Sequence, residues 1–155
     1  MKTQNSSLEF SHFPVMLSEV IQASSPNTGG IFVDCTFGGG GYSRALLAFP
    51  KTKVIGVDRD SKVISIAKEL EKKFKNRFNF YQSKFSQIEK ILKKNVDTII
   101  FDLGLSSIQL NNLERGFSFK SKEKLDMTMG LNNFSAQEVV NELSEQQLKL
   151  IIKVL

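Results

Sequence analysis

A single cysteine, Cys35, in 155 residues excludes an internal disulfide and fits a reducing cytosol. A single histidine, His12, leaves no Cys/His set with metal-ligand spacing, so no zinc site is expected. The expected role of His12 is local structure or hydrogen bonding. No apolar run approaches the ~20 residues needed to span a bilayer, so no membrane partner is expected. The opening residues, MKTQNSSLEFSHF, lack the apolar core of a signal peptide, and a cytoplasmic location is the expectation. There is no internal repeat and no low-complexity tract.

What is present is ordinary for a folded domain. The chain is 41% hydrophobic and 24% charged, which argues against disorder, and its length suits one domain. Lysine and arginine number 21 against 16 acids, a net charge of +5. Such a balance suits an anionic partner, nucleic acid first. Charge alone leaves a second reading open, in which Lys72, Lys73, Lys75, Arg77, Lys93 and Lys94 merely solvate helix faces.

Along the chain, Met1 to Ser11 is polar and reads as a loose arm. Pro14 then opens a helical stretch with Val15, Leu17, Val20 and Ile21 on or near one face. After the turn cluster Pro26-Asn27-Thr28-Gly29-Gly30, Ile31 to Thr36 reads as a buried strand and Phe37-Gly38-Gly39-Gly40-Gly41 as a loop. Tyr42 to Phe49 is a short helix stopped before Pro50, and Lys53 to Asp58 a second strand. Ser61 to Phe74 is an amphipathic helix, Asn79 to Gln82 a third strand, and Phe85, Ile88, Ile91 and Leu92 mark another helix. Val96 to Leu103 is the strongest strand, an apolar run suited to a central parallel position. Ser106 to Gly130 reads as mostly irregular. Two helices follow, each opened by a capping box: Ser135-x-x-Glu138 and Ser144-x-x-Gln147.

Strands and helices alternating at this spacing imply an α/β fold, a doubly wound parallel sheet with right-handed crossovers. Only four strands are legible, and the chain stops inside its last helix at Leu155. The expectation is therefore an incomplete sheet in an N-terminal fragment.

Ligands of such sheets bind at the carboxyl ends of the strands, near the point where strand order reverses. Three segments converge there. Val33-Asp34-Cys35-Thr36 runs into the glycine loop, where bare backbone permits close approach of a ligand. Asp58 ends the second strand about 20 residues later, where an acid commonly holds ribose hydroxyls. Asp102 ends the fourth. Each acid has a plainer alternative: Asp34 bonding loop amides, Asp58 leading the following helix, Asp102 serving a turn. Cys35 reads as a packed strand residue. A glycine loop alone does not identify a ligand, because dinucleotide enzymes use one too. Here, however, the last fingerprint position is Ser43 rather than glycine, and a pyrophosphate would face Asp34 and Asp102. S-adenosylmethionine carries a sulfonium and an ammonium, which those carboxylates attract. The charge favours the methyl donor.

The residues also resemble a specific family. His12-x-Pro14-Val15-Met16-Leu17-x-Glu19-Val20, Val33-Asp34-x-Thr36-Phe37-Gly38-x-Gly40-Gly41 and Val57-Asp58-Arg59-Asp60 resemble the MraW/RsmH family. So do Phe101-Asp102-Leu103-Gly104-x-Ser106-Ser107-x-Gln109-Leu110, Arg115-Gly116-Phe117-Ser118-Phe119 and Leu125-Asp126-Met127-x-Met129, in the family's order over nearly the whole chain. The resemblance implies a class I, Rossmann-like fold and S-adenosylmethionine-dependent methylation of the N4 amine of a cytidine in the decoding region of 16S rRNA. The partner it implies is 16S rRNA in the small ribosomal subunit. It places donor contacts on Gly40, Gly41, Tyr42, Asp58, Phe85, Asp102 and Gln109, with Asp34 and Gly38 nearby. It also makes residues 1–119 a partial methyltransferase domain and 120–155 the start of an inserted helical substrate-recognition domain.

Three positions depart from the family pattern. Tyr42 stands where many relatives have histidine, Thr128 where an arginine is usual, and Gly130 where aspartate is common. The first leaves a backbone amide able to meet the ligand; the others bear on RNA or loop contacts rather than on the donor. With the family in view, Phe85 is expected to pack on adenine, the alternative being a core position in its helix. Arg115, Phe117 and Phe119 make a basic-aromatic loop suited to holding a splayed base, the alternative being loop anchoring. Asp102 is the candidate catalytic residue, accepting a hydrogen bond from the cytosine amine to direct its lone pair toward the methyl. Two competing readings stand beside this one. A nucleotide-dependent oxidoreductase is disfavoured by Ser43 and the flanking acids; a fragment that binds donor or RNA without turnover is compatible with an unfinished sheet.

Overall fold

In the first two strands apolar residues point to both faces, so each can be buried only between two layers of helix. A computed structural model describes residues 14–131 and 134–154. His12, the arm from Met1 to Ser11 and Leu155 lie outside the described residues. The strands are β1 (Gly30–Asp34), β2 (Thr52–Asp58), β3 (Phe78–Gln82) and β4 (Thr98–Ile100). All pairings are parallel and the order is β3-β2-β1-β4.

That order fixes the layers. The crossovers through α2 (Gly41–Leu47) and α3 (Ile64–Lys73) step outward from β1 to β3 on one face, which α1 (Leu17–Ser24) also covers. Phe32, Leu46, Leu47, Val54, Ala67, Leu70 and Phe78 are buried between these helices and the sheet. The next crossover, through α4 (Ile88–Ile91), returns past β1 and β2 on the opposite face. There Val33, Cys35 and Val57 pack with Ile55, Ile88, Ile91, Leu92 and Val96. Alternation along β1 thus serves two cores, Phe32 in one and Val33 in the other. The sheet is doubly wound, and its order reverses between β1 and β4. Cys35 is buried, and burial with the adjacent Asp34 charge pushes its thiol up to about 11. It stays protonated at neutral pH and acts as a packing residue.

Four sequence expectations need correction. β4 covers only Thr98–Ile100, not Val96 to Leu103, and among the described residues it is an edge strand paired to β1 alone. Ile99, Phe101 and Leu103 remain 42%, 48% and 70% exposed, because no second neighbour takes up their outer side. α1 starts at Leu17, since Met16 takes a left-handed conformation (φ 53°); Leu17, Val20 and Ile21 reach the core whereas Val15 stays exposed. Phe85 lies in a tight 3₁₀ turn, Phe85–Gln87, that precedes a one-turn α4.

Finally, the stretch after β4 is less irregular than expected. α5 (Ser107–Asn111) is held by a full capping box between Ser106 and Gln109. A 3₁₀ turn at Leu113–Arg115 follows it. α6 (Ala136–Glu142) and α7 (Glu145–Val154) begin at the expected capping boxes, with Ser135 paired to Glu138 and Ser144 to Gln147. Among the described residues no helix is long and apolar enough to cross a membrane.

Candidate functional site

A cleft of about 1300 Å³ opens at the carboxyl ends of β1, β2 and β4, beside the reversal of strand order. Its walls include Gly38, Gly39, Gly41, Tyr42, Asp58, Phe85, Asp102 and Gln109. Seven of the residues expected at the donor site therefore share one cavity, Gly39 being the additional member. Gly40 and Asp34 do not line it.

The glycine loop is pinned from beneath. The Phe37 amide donates to the Val57 carbonyl at 3.1 Å and the Cys35 amide to the Ile100 carbonyl at 2.9 Å, so β1 leaves the sheet tied to both neighbours. Gly40 turns the loop into α2 at φ 74°, and a Cβ there would lie 2.8 Å from the Phe37 ring. Its glycine is thus required by packing and by conformation. At Gly39 an added Cβ would meet nothing within 4 Å, and at Gly38 nothing nearer than 3.7 Å. The Cα side of both residues is thus open, while the Gly38 amide is held by Asp58 and the Gly39 carbonyl by Arg44.

The acids at the strand tips divide by burial. Asp34 is fully buried, and its Oδ2 accepts from the Ser43 hydroxyl at 2.7 Å. Burial raises its pKa to about 6, against the lowering effect of Ser43 and nearby amides. Ser43, which breaks the dinucleotide fingerprint, is thus the hydroxyl partner of this acid. Asp58 accepts from the Gly38 amide (2.8 Å) and from the Asp60 amide (2.9 Å), one on each oxygen. Burial raises its pKa as well. Asp102 differs in being exposed; its amide donates to Thr36 Oγ1 at 2.8 Å, which leaves the carboxylate turned to the cleft.

Tyr42 is buried, and its hydroxyl donates to the Val15 carbonyl. The same hydroxyl stands 3.5 Å from Asp102 Oδ2, a long contact. Burial, then the Asp102 charge, raises the phenol's pKa, so it stays a donor at neutral pH. Phe85 is 43% exposed and meets Phe101 edge to face at 5.6 Å, which leaves much of its surface on the cleft wall.

The residue that sequence reasoning missed is Asp60, only 1% exposed. Its Oδ1 accepts from the Lys62 amide (3.0 Å) and so caps the 3₁₀ turn Ser61–Val63, the helix-leading role considered for Asp58. Its Oδ2 accepts from Gln109 Nε2 at 3.1 Å and pairs with Arg115 Nη1 at 2.8 Å. An acid immediately before a helix was the available signal; its long-range partners carried none. Gln109 Oε1 meanwhile accepts from the Ser106 amide, so its side chain is used at both ends.

The expected base-holding loop does not act as one unit. Arg115 and Phe117 are buried, with the guanidinium 4.9 Å over the Phe117 ring and Nη2 donating to the Thr128 carbonyl at 2.8 Å. Only Phe119 is fully exposed. The physical reason is charge: buried Asp60 pairs with Arg115 and holds its guanidinium inward. Thr128 meets Arg115 through its carbonyl, so the departure from arginine at that position leaves this contact intact.

The chain is 44% identical over 142 residues to a protein named ribosomal RNA small subunit methyltransferase H from Rickettsia akari, covering 91% of this chain and 46% of that one. Identity to proteins of the same name is 43% for Orientia tsutsugamushi, strain Boryong (91% and 46%), and 42% for Ehrlichia ruminantium, strain Welgevonden (91% and 49%). The chain thus spans about half the length of these curated relatives. Residues 9–155 match the MraW methylase family, and the chain belongs to that family.

Proposed function

We propose that the cleft binds S-adenosylmethionine and that the chain carries the donor half of an enzyme methylating the N4 amine of a cytidine in 16S rRNA. The observation that carries this reading is the pairing of open glycine backbone with carboxylates on one cavity: Gly38 and Gly39 unobstructed, Asp58 and Asp102 beside them. Asp58 and Asp102 suit the sulfonium and ammonium of the donor; Arg44, Arg59 and Lys84 line the same cleft, and Arg44 is held to the Gly39 carbonyl. The names of the relatives support the rRNA substrate and the small subunit as partner.

When bound, the donor supplies a methyl group on positively charged sulfur. Asp58, already held by two loop amides, offers its remaining lone pairs to ribose hydroxyls. Gly38 and Gly39 let the loop backbone come close, Gly40 makes the turn behind them, and Gly41 and the Tyr42 amide open α2 at the cleft wall. Phe85 packs on adenine. Gln109, fixed at both ends, forms a wall rather than a mobile contact. Asp102 accepts a hydrogen bond from the cytosine amine and holds its lone pair on line with the methyl. Phe119 is the member of its loop left to stack on a base, while Arg115 and Phe117 anchor that loop. Residues 1–119 then make up the donor domain, and α6 and α7 begin a helical substrate-recognition domain.

Calorimetry of the chain with S-adenosylmethionine and, separately, NAD tests the site: donor binding with no NAD binding is expected, and the reverse overturns the reading. Transfer of labelled methyl to small ribosomal subunits, run beside a full-length relative, tests the reaction. One observation favours a second reading, binding without turnover: the open outer side of β4 at Ile99, Phe101 and Leu103. Donor binding with no labelled subunits would select it.

A further inference from the structure

Asp60, which also lines the cleft, and Arg115 carry no step of the chemistry proposed above, yet they form an ion pair with both side chains buried. Their bonds run in sequence across the cleft's rim. The Gly38 amide donates to Asp58, Asp58 also takes the Asp60 amide, Asp60 pairs with Arg115, and Arg115 donates to the Thr128 carbonyl. Neighbouring backbone reinforces the far end: the Ser61 amide donates to the Met129 carbonyl at 3.2 Å and the Met127 amide to the Arg115 carbonyl at 2.9 Å. Four separate segments, the β1 loop, the β2 tip, residues 113–117 and residues 127–130, are joined through the side chains of Asp58, Asp60 and Arg115. The last two segments hold little other regular structure, so a buried charge pair fixes them where local propensity does not.

The geometry points to Asp60 and Arg115 as positioning residues that couple occupancy of the donor site to the order of the segment that faces RNA. This rests on the donor-site reading given above. A ligand bonded to Asp58 or to the glycine loop acts on the first link of a continuous chain of polar contacts. A loop that opens at 113–130 loosens the last link, and the coupling is reciprocal. The device orders the acceptor side, including exposed Phe119, when donor is present.

Hydrogen exchange of the chain with and without S-adenosylmethionine tests this, alongside calorimetry of the same samples. In the wild type, donor is expected to slow exchange in residues 113–130 about tenfold. The double variant D60N/R115M removes the pair without stranding a buried charge. It is expected to keep its circular dichroism and to bind donor within about threefold of wild type, while donor-dependent protection of 113–130 is lost. R115K keeps the ion pair but not the bond to Thr128 and is expected to retain partial protection, which a purely structural role would not grade. Donor binding by the wild type without protection of 113–130 overturns the coupling alone, as does full protection in D60N/R115M. A wild-type chain that binds no donor overturns the donor site and the coupling together.

Discussion

The two flanks of the cleft put the same side chain to opposite uses. On the β1–β2 flank, Asp34 and Asp60 are buried and Asp58 half-buried; Asp34 Oδ2 is taken by the Ser43 hydroxyl, and the oxygens of Asp58 and Asp60 by loop amides, Gln109 and Arg115. On the β4 flank, Asp102 is exposed, is approached by Tyr42 only at 3.5 Å, and is flanked by exposed Phe101 and Leu103. Carboxylates on the closed flank hold the glycine loop and the β2 tip in place, Asp58 while also lining the cleft. The carboxylate on the open flank faces the cleft with few donors near it. An aspartate at a strand tip is thus given its work by the number of donors that reach it, not by its position in a motif.

The sharpest way to break this comparison is at Asp102. In an active full-length protein, Asp102→Asn should lower the rate of methyl transfer on the order of 10²-fold or more, with the fold unchanged. Turnover and donor affinity both at wild-type levels would place Asp102 with the structural acids. The next effect is expected at Asp34 and has the opposite sign. Its folded-state pKa of about 6 lies above the ordinary 3.8, so the folded chain binds this proton more tightly than the unfolded chain does. Stability therefore falls as pH rises from about 4 to 6 and stays reduced above that range. Asp34→Asn carries no charge to bury and should gain up to about 3 kcal/mol at pH 7, with that slope removed. Urea unfolding at pH 4.5 and 7 measures it, and a destabilised variant at pH 7 would show that the ionised form is what the fold requires.

Smaller effects sharpen the open flank. Phe119→Ala should leave the melting temperature unchanged, because the ring is fully exposed, and weaken RNA binding roughly fivefold or more if it stacks on a base. Unchanged RNA affinity would remove it from the acceptor side. Phe85→Ala should raise the donor Kd by about fivefold, near 1 kcal/mol, through loss of adenine packing. Calorimetry decides it, and a drop in stability with unaltered affinity would return Phe85 to the core.

Much of the fold was legible because its local signals agree. The apolar strands at Ile31 and Lys53, the amphipathic face of α3 and the serine caps of α6 and α7 each depend on neighbours in sequence. That the glycine loop, Asp58 and Asp102 meet in one crevice was legible because a doubly wound sheet delivers strand ends to one place. Misreadings fell where the deciding partner is remote. Val96 to Leu103 has the composition of a central strand, but a central place needs a second neighbour, and among the described residues only β1 pairs with it. The Arg115 loop has the composition of a base-holding surface, but Asp60 turns the arginine inward.

The amino-acid sequence by itself determined the alternation of strands and helices, the bare backbone of the loop and the supply of acids at the strand tips. Periodicity, glycine and charge are properties of short stretches, and they survive any change of surroundings. Only the tertiary structure decided how many donors reach each acid and which carboxylate stays exposed on the cleft. Burial and hydrogen-bond supply depend on what residues far apart in the chain bring to the same few ångströms.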